Sequence, residues 1–214
     1  MRLTNSSLAD LPKDVATSSY DRGRLSAGIV HIGVGNFHRA HMARYMDDLF
    51  DKGLNHDWAI LGAGVRPGDA AMRARLEAQD WLTTAVELGP DGARARVIGS
   101  MVGFVPVEAD NRTLIRAMAD PAIRIVSLTV TEGGYYIDSA TEQFDAAHPD
   151  IRHDAQSPER PRTAFGAIVG RAQGTPRRGA GAFHGAVLRQ PARQRRHPAP
   201  GGGDARAPFR PRPR

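Results

Sequence analysis

A short glycine-containing stretch near the start of the chain has the residue types and spacing of a phosphate-binding turn. Residues 33–38 read GVGNFH, and they lie between an apolar, β-branched run and a segment with helical spacing. Small residues at a strand-to-helix turn let the backbone approach phosphates, while the helix N-terminus offers free N–H groups. The third glycine of the usual G-x-G-x-x-G is absent, because His38 takes its place. The stretch indicates a dinucleotide site, and a glycine-rich packing turn is the alternative.

An acid and a base follow the second apolar run of the chain. Dinucleotide-binding folds place an acid after the second strand, where it holds the ribose 2′-hydroxyl and favours NAD over NADP. Asp69 in GVRPGD lies in this neighbourhood, although further from the glycines than usual. Arg66 could instead accept a 2′-phosphate, and Asp69 could equally cap a helix. We therefore expect NAD, with NADP less favoured.

Several histidines and acids near the glycine stretch do not have the pattern of a metal site. His31, His38 and His41 lack the clustered carboxylates or thiols that metal sites use, and the sequence contains no cysteine. We expect these histidines to have packing and helix-end roles, and we expect no metal. The neighbouring Asp47 and Asp48 are predicted to be a solvated or capping pair rather than a general acid–base dyad.

The elements that would position these residues alternate along the first two thirds of the chain. Predicted strands cover 28–34, 57–65, 81–88, 94–105 and 123–131, and predicted helices cover 37–50, 67–80 and 111–121, with another starting at 161. Such alternation is typical of an α/β fold with a largely parallel sheet. Residues 1–27 are predicted to be an N-terminal arm.

The last 45 residues differ from the rest in composition and charge. Segment 170–214 contains eleven arginines and one acid, whereas residues 1–169 contain 18 basic and 22 acidic residues. The net charge of +6 and the pI of about 10.4 therefore come from this segment alone. Gly, Ala, Pro and Arg supply 34 of its 45 residues. Such a composition does not bury enough apolar surface to offset the entropy of ordering, so we expect a tail without a fold.

The remaining composition bears on the compartment. No apolar run approaches the roughly 18 residues of a membrane span, and the N-terminus lacks the basic-then-apolar pattern of a signal peptide. The absence of cysteine excludes a disulfide framework. We expect a soluble, cytoplasmic protein without a membrane partner.

Three motifs together resemble one enzyme family. The stretch IVHIGVGNFHRAH followed by YMDDL, the stretch IVSLTVTEGGYYID and the stretch PRTAFG are similar to the mannitol dehydrogenase family, the long-chain polyol dehydrogenases and hexuronate reductases. The resemblance covers residues 28–169, and it implies a Rossmann-type, doubly wound domain that binds NAD(P). It also implies an oxidoreductase that transfers hydride between a sugar alcohol, or a hexuronate, and the keto sugar.

The same resemblance implies roles for individual residues. Glu132, in TVTEGGYY, would lie at the mouth of the active site, where the family uses a glutamate to gate proton or water passage. No catalytic residue is expected in this chain, because the family carries its catalytic Lys, Asn and His in a second, mostly helical domain. The residues implied to line the pyrophosphate are Gly33, Val34, Gly35, Asn36 and Phe37.

Two explanations of the basic tail lead to different functions. In one, an Arg-rich arm contacts nucleic acid, and the protein is a non-enzymatic nucleotide-binding domain. In the other, a frameshift near 169–171 makes residues 170–214 an out-of-frame product. A one-base shift permits Phe-Thr-Val-Leu-Ser-Cys-Asp-Asn-Leu from position 183 onward, as the family continues. We favour the second explanation, and expect a truncated cofactor half, inactive by itself, with no nucleic-acid partner.

Overall fold

The computed structural model describes residues 2–90, 92–138, 140–173 and 184–187. Strands and helices alternate over most of this length, as predicted. The strands are β1 (Ala27–Ile32), β2 (Ala59–Ala63), β3 (Thr83–Gly89), β4 (Gly92–Ile98), β5 (Met101–Phe104), β6 (Ile125–Leu128) and β7 (His184–Val187). The helices are α1 (Asn36–Ala40), α2 (Met42–Asp51), α3 (Asp69–Glu77), α4 (Arg112–Met118), α5 (Pro149–Gln156) and α6 (Ala164–Gln173).

The main sheet has five parallel strands in the order β5-β2-β1-β6-β7. The strand order therefore reverses at β1, which pairs with β2 on one side and with β6 on the other. In doubly wound folds, ligands bind beyond the carboxyl ends of the strands at such a reversal. The prediction of a Rossmann-type, largely parallel sheet is confirmed.

Two apolar layers cover the two faces of this sheet. Alternate residues of β1 face opposite sides, as the two-residue period of a strand requires. Helices α4 and α6 cover one face, and α2 and α3 cover the other. The first layer contains Val30, Ile32, Leu114, Met118, Val126, Leu128, Ala164 and Ala167. The second contains Val34, Ala43, Ile60, Leu76, Ile98, Met101 and Phe104.

The predicted strand 94–105 is two strands that belong to different sheets. β4 pairs with β3 in a separate antiparallel hairpin, whereas β5 joins the edge of the parallel sheet beside β2. The chain changes direction at Gly99 and Ser100, which α2 holds. The N–H of Gly99 donates to Asp47 Oδ1 over 2.9 Å, and Ser100 Oγ donates to the carbonyl of Ala43 over 2.6 Å.

The predicted helix 37–50 is likewise divided in the structure. The backbone of His41, at φ −115° and ψ −81°, ends α1 and begins α2. Helix α5 was not predicted. It begins with Pro149, a residue favoured in the first turn of a helix, and His148 Nδ1 accepts from the N–H of Asp150 over 3.2 Å.

The folded part of the chain extends beyond residue 170, where the tail was predicted to begin. Helix α6 continues past Gly170 to Gln173, and His184–Val187 of the predicted tail forms β7 beside β6. These four residues gain backbone hydrogen bonds from a neighbouring strand, which composition does not reveal. Residues 174–183 and 188–214 lie outside the described residues, so an unfolded, out-of-frame tail stays a prediction there.

Candidate functional site

A cavity of about 230 Å³ opens at the carboxyl ends of β1, β2 and β6. It therefore lies at the reversal of strand order, where doubly wound folds bind their ligands. Three loops contribute its polar wall: the turn after β1, the loop between β2 and α3, and the segment after β6. The lining residues from these loops include Gly33, Gly35, Arg66, Asp69, Thr129, Thr131 and Gly134.

The turn after β1, residues 33–37, has the geometry of a close backbone approach. Gly33 has φ +93°, and a Cβ at this position would overlap the carbonyl oxygen of Thr129. The N–H of Gly33 donates to the carbonyl of Ala63 over 2.9 Å, and the N–H of Gly35 donates to the Gly33 carbonyl over 2.8 Å. Gly35 itself has no atom within 4 Å of a Cβ position, so it leaves open space toward the cavity. A phosphate group fits such a surface.

The other residues of this turn differ in exposure. Val34 is buried in the apolar layer beneath the turn, whereas Asn36 and Phe37 are exposed at the start of α1. Arg39 was not singled out from the sequence, because a helix-surface arginine is usually a solvated residue. Its guanidinium donates to Asn36 Oδ1 and, over 3.4 Å, to the carbonyl of Gly35. The turn therefore carries a positive charge beside Gly35.

Asp69 begins α3 and faces the loop that precedes it. Its Oδ2 accepts from the backbone N–H groups of Val65 and Arg66, both over 3.0 Å. These donors lie in the loop before α3, and the N-cap residue Gly68 makes no side-chain cap, so the carboxylate holds the loop and does not act as the helix cap that the sequence left open. Asp69 also lines the cavity of about 230 Å³, so one carboxylate both bonds to the loop and borders the candidate site. Its contact with a ribose stays a prediction.

A second, larger cavity of about 750 Å³ adjoins the first. The two share Val65, Arg66 and Tyr136. Burial raises the pKa of Tyr136, Asp150 adds to this effect, and the Arg66 guanidinium beside the hydroxyl opposes it. The larger cavity has apolar residues from α3 and from the loops after β2 and β5, together with charged residues from the loop after β5, from α5 and from the segment after α5. These include Pro67, Ala70, Val107, Glu108, Asp150 and Arg162.

Glu132 opens the 3-10 turn Glu132–Tyr135, which follows the last residues of the β6 segment. Its neighbours Thr131 and Gly134 line the smaller cavity. The side chain of Glu132 lies outside the described part of the structure, so its gating role stays a prediction.

Two of the three histidines lie buried beneath the turn. The rings of His31 and His38 stack with their centroids 3.8 Å apart, and both side chains are fully buried. Burial lowers the pKa of His31 to about 4 and that of His38 to about 2. His41, by contrast, is exposed and contacts the ring of Phe37 at 4.6 Å. These positions agree with packing and helix-surface roles.

Three acids at the end of α2 form the cluster of potential metal ligands found among the described residues: Asp47, Asp48 and Asp51. Arg96 from β4 already contacts all three, at 2.8 Å from Asp47, 3.5 Å from Asp48 and closely at Asp51. The prediction of a solvated pair is wrong for Asp47, because this residue is fully buried. It accepts from the hydroxyls of Ser18 and Tyr20 over 2.7 and 2.6 Å. The cluster is therefore an ion-pair network that fastens the N-terminal arm and β4 to α2.

Comparison with known proteins adds independent information about the described region. The family model for the mannitol dehydrogenase Rossmann domain matches residues 27–188. The mannitol 2-dehydrogenase of Cereibacter sphaeroides is 67% identical over 159 residues, which are 74% of this chain and 33% of that protein. The mannitol 2-dehydrogenase of Pyricularia oryzae is 42% identical over 171 residues, 77% of this chain and 34% of that protein. The chain thus spans about a third of the length of these relatives.

Solved structures give the same result for the fold. The Pseudomonas fluorescens mannitol 2-dehydrogenase, in a ternary complex with NAD and D-mannitol, superposes with a TM-score of 0.79 at 41% identity. A substrate-free D-sorbitol dehydrogenase superposes with a TM-score of 0.79 at 35% identity. Each match covers 88% of this chain and 39% of the other. No helix in the described residues is both long and apolar enough to cross a membrane.

Proposed function

Because the chain belongs to the mannitol dehydrogenase family through its Rossmann domain, we propose that it is the cofactor-binding part of an NAD-dependent polyol oxidoreductase. The family's hydride transfer between a sugar alcohol, or a hexuronate, and a keto sugar is the reaction in which it would take part. One observation carries the proposal: the turn at Gly33–Phe37 lies open at the reversal of strand order.

The pyrophosphate of NAD would lie on this turn. Gly35 gives the phosphates access to the backbone, because nothing occupies the position of its missing Cβ. The N-terminal N–H groups of α1 and the guanidinium of Arg39 provide positive charge beside it. When bound, NAD supplies the nicotinamide that accepts the hydride. The protein residues bind and orient it.

The adenosine half of NAD would extend toward the larger cavity. Its apolar part, formed by Pro67, Ala70 and Val107, suits the face of an adenine ring. Asp69, which lines the smaller cavity, would accept from a ribose hydroxyl, which favours NAD over NADP. Arg66 lines both cavities and is the residue that would instead meet a 2′-phosphate.

The polyol and the catalytic groups that act on it would come from outside the described residues. The two lysines of the sequence are Lys13 and Lys52, and neither lines the two cavities. By its resemblance to the family, a lysine of a second domain would act as general base on the substrate hydroxyl. Glu132, beside the smaller cavity, would gate the passage of protons or water.

Substitution of Gly35 tests the cofactor proposal. Gly35→Asp places a carboxylate where the phosphates would lie, and we expect NADH affinity to fall about a hundredfold, because like charges in contact cost several kcal/mol. Titration calorimetry with the purified chain measures this loss. Ala122→Asp adds the same charge at an exposed position before β6, at the opposite end of the sheet, and should bind as the unmodified chain does. Equal affinity of the Gly35→Asp variant and the unmodified chain would refute the assignment.

A further inference from the structure

A chain of side-chain hydrogen bonds connects β6 with the dinucleotide turn, Gly33–Phe37, through the buried His31. His31 Nδ1 lies 2.7 Å from Ser127 Oγ, and His31 Nε2 lies 2.9 Å from Thr129 Oγ1. Thr129 Oγ1 in turn donates to the carbonyl of Gly33 over 2.9 Å. Since His31 and Ser127 are direct partners in the parallel pairing of β1 and β6, the strand register brings these groups together.

The direction of each bond follows from the number of protons available. Thr129 has one hydroxyl proton, and it donates this proton to the Gly33 carbonyl. Toward His31 it must therefore accept, which places a proton on His31 Nε2. In a neutral imidazole the other nitrogen then lacks a proton. The Ser127 hydroxyl has one proton and two neighbours that could accept it, His31 Nδ1 at 2.7 Å and the weakly accepting sulfur of Met42 at 3.7 Å, so it donates to His31 Nδ1. Each group therefore donates a hydrogen bond to the next in one direction, from β6 through His31 and Thr129 to the turn.

The surroundings of His31 keep it neutral and out of contact with any ligand. The side chain is fully buried, and the stacked ring of His38 from α1 covers it. From α2, the sulfur of Met42 lies 3.7 Å from Ser127 Oγ. The charge of Arg39 acts on the covering ring of His38, whose pKa it lowers. His31 can therefore influence a bound dinucleotide only through the groups to which it bonds.

We propose that His31 is a positioning residue that fixes the conformation of the dinucleotide turn through Thr129 and the Gly33 carbonyl. The inference rests on the proposed function, because it concerns the binding of a dinucleotide at this turn. The Gly33 carbonyl is held from two directions, by Thr129 Oγ1 and by the N–H of Gly35. Rotation of the peptide group that contains this carbonyl would move Gly35, the residue that faces the cavity. If this peptide group is already fixed before the dinucleotide binds, binding costs less conformational entropy.

Paired substitutions separate this role from simple packing. His31→Leu fills the space of the imidazole with an apolar side chain but removes the hydrogen bonds to Ser127 and Thr129. We expect NADH to bind this variant about tenfold more weakly, which is the effect of one net hydrogen bond. His31→Gln retains an N–H donor that can reach Thr129, and it should bind within about threefold of the unmodified chain. Thr129→Val removes the hydroxyl at nearly constant shape and should weaken binding as His31→Leu does, whereas Thr129→Ser should not.

Three measurements make the outcome decisive. Calorimetry gives the NADH affinity, and circular dichroism with thermal unfolding shows that each variant is folded. In addition, ¹⁵N NMR of the imidazole should show His31 with a proton on Nε2 and none on Nδ1, a signature that packing alone does not fix. If the unmodified chain fails to bind NADH, the proposed function is wrong. If it binds, but folded His31→Leu and Thr129→Val bind equally well, or if the proton lies on Nδ1, the positioning role is wrong.

Discussion

Burial, rather than a charged neighbour, determines the ionisation of the two stacked histidines beneath the turn. Desolvation is the largest cause of the lowered pKa of both His31 and His38, and the second ring and Arg39 add to it only for His38. His31 has a partner at each nitrogen, whereas neither nitrogen of His38 has a partner among the described residues. Of the two buried imidazoles, that of His31 is therefore hydrogen-bonded at both nitrogens, and that of His38 is, within the described ranges, hydrogen-bonded at neither.

This arrangement predicts a loss of stability in mild acid. Both histidines take up protons near pH 6.5 when the chain unfolds, but in the folded state His31 does so only near pH 4. The unfolded state therefore binds more protons between these values, so the free energy of unfolding falls as pH decreases from 6.5 to 4. His31 alone accounts for roughly 3 kcal/mol of this loss. Urea unfolding at several pH values between 7.5 and 4.5 measures the slope.

A variant without the His38 ring, whose nitrogens have no hydrogen-bond partner in the part of the chain that the structure describes, provides the control for this prediction. His38→Leu eliminates one titrating group and two unpaired polar atoms, so the slope below pH 6.5 should become smaller. At pH 7.5 the variant should be at least as stable as the unmodified chain, because an unsatisfied buried polar group costs about 1–3 kcal/mol. An unchanged slope would show that His38 does not titrate in this range on unfolding.

At the scale of elements, the Asp69 side chain both holds the loop between β2 and α3 and borders the proposed cofactor site. The Asp69 carboxylate accepts from the N–H groups of Val65 and Arg66 through Oδ2, and the same residue borders the cavity. A carboxylate has more acceptor capacity than these two donors use. The bonds to the loop and the proposed contact with a ribose hydroxyl are therefore compatible in one side chain.

Two substitutions of Asp69 separate these roles. Asp69→Asn keeps an oxygen that can accept from the loop but removes the charge, so we expect normal thermal stability and a preference for NADH over NADPH reduced about tenfold. Asp69→Ala removes the acceptor as well, and it should also lower stability by about 1 kcal/mol, because the N–H groups of Val65 and Arg66 lose their acceptor. Calorimetric titration with both dinucleotides and thermal unfolding measure the two effects. An unchanged NADH/NADPH ratio in Asp69→Asn would leave Asp69 with only its role in holding the loop.

The elements also show what local sequence patterns can and cannot predict. The strand–glycine–helix order located the turn at Gly33 and Gly35, because it depends on consecutive residues. The division of residues 94–105 between two sheets was missed, since Gly99 and Ser100 interrupt an otherwise continuous run only through their contacts with α2. The contact of His31 with Thr129 joins residues 98 positions apart. Such contacts depend on strand register, which single-sequence patterns do not give.

At the scale of the whole molecule, the described residues contain the proposed cofactor site, and no lysine lines its two cavities. The relatives named mannitol 2-dehydrogenase are about three times as long as the matched region. Two exposed aromatic side chains, Phe37 at 39% and Tyr45 at 67% exposure, lie on α1 and α2 beside the turn. The described domain therefore has apolar surface next to its proposed cofactor site.

A chimera tests whether the Rossmann domain binds the cofactor while the rest of a full-length relative supplies the catalytic groups. We expect the chain alone to bind NADH but not to oxidise mannitol, because neither Lys13 nor Lys52 lines the two cavities and the lysine that the family resemblance implies as general base belongs to a second domain. Residues 27–169, placed in the Cereibacter sphaeroides enzyme in place of its matching segment, should support NAD-dependent oxidation of mannitol. Absorbance of reduced nicotinamide measures both. Turnover by the chain alone, or a folded chimera that binds NADH without turnover, would contradict this division.

The central position of β1 has a consequence for the order in which the protein assembles during its synthesis. β1 pairs with β2, about 30 residues later, and with β6, 96 residues later at His31 and Ser127. A ribosome adding about 5–20 residues per second needs roughly 5–20 seconds to cover the longer separation. Throughout this interval, one side of β1 has unpaired N–H and C=O groups, which invite pairing with other chains. The nascent chain is thus most vulnerable to aggregation before β6 emerges, and the cofactor turn is completed only when that strand docks.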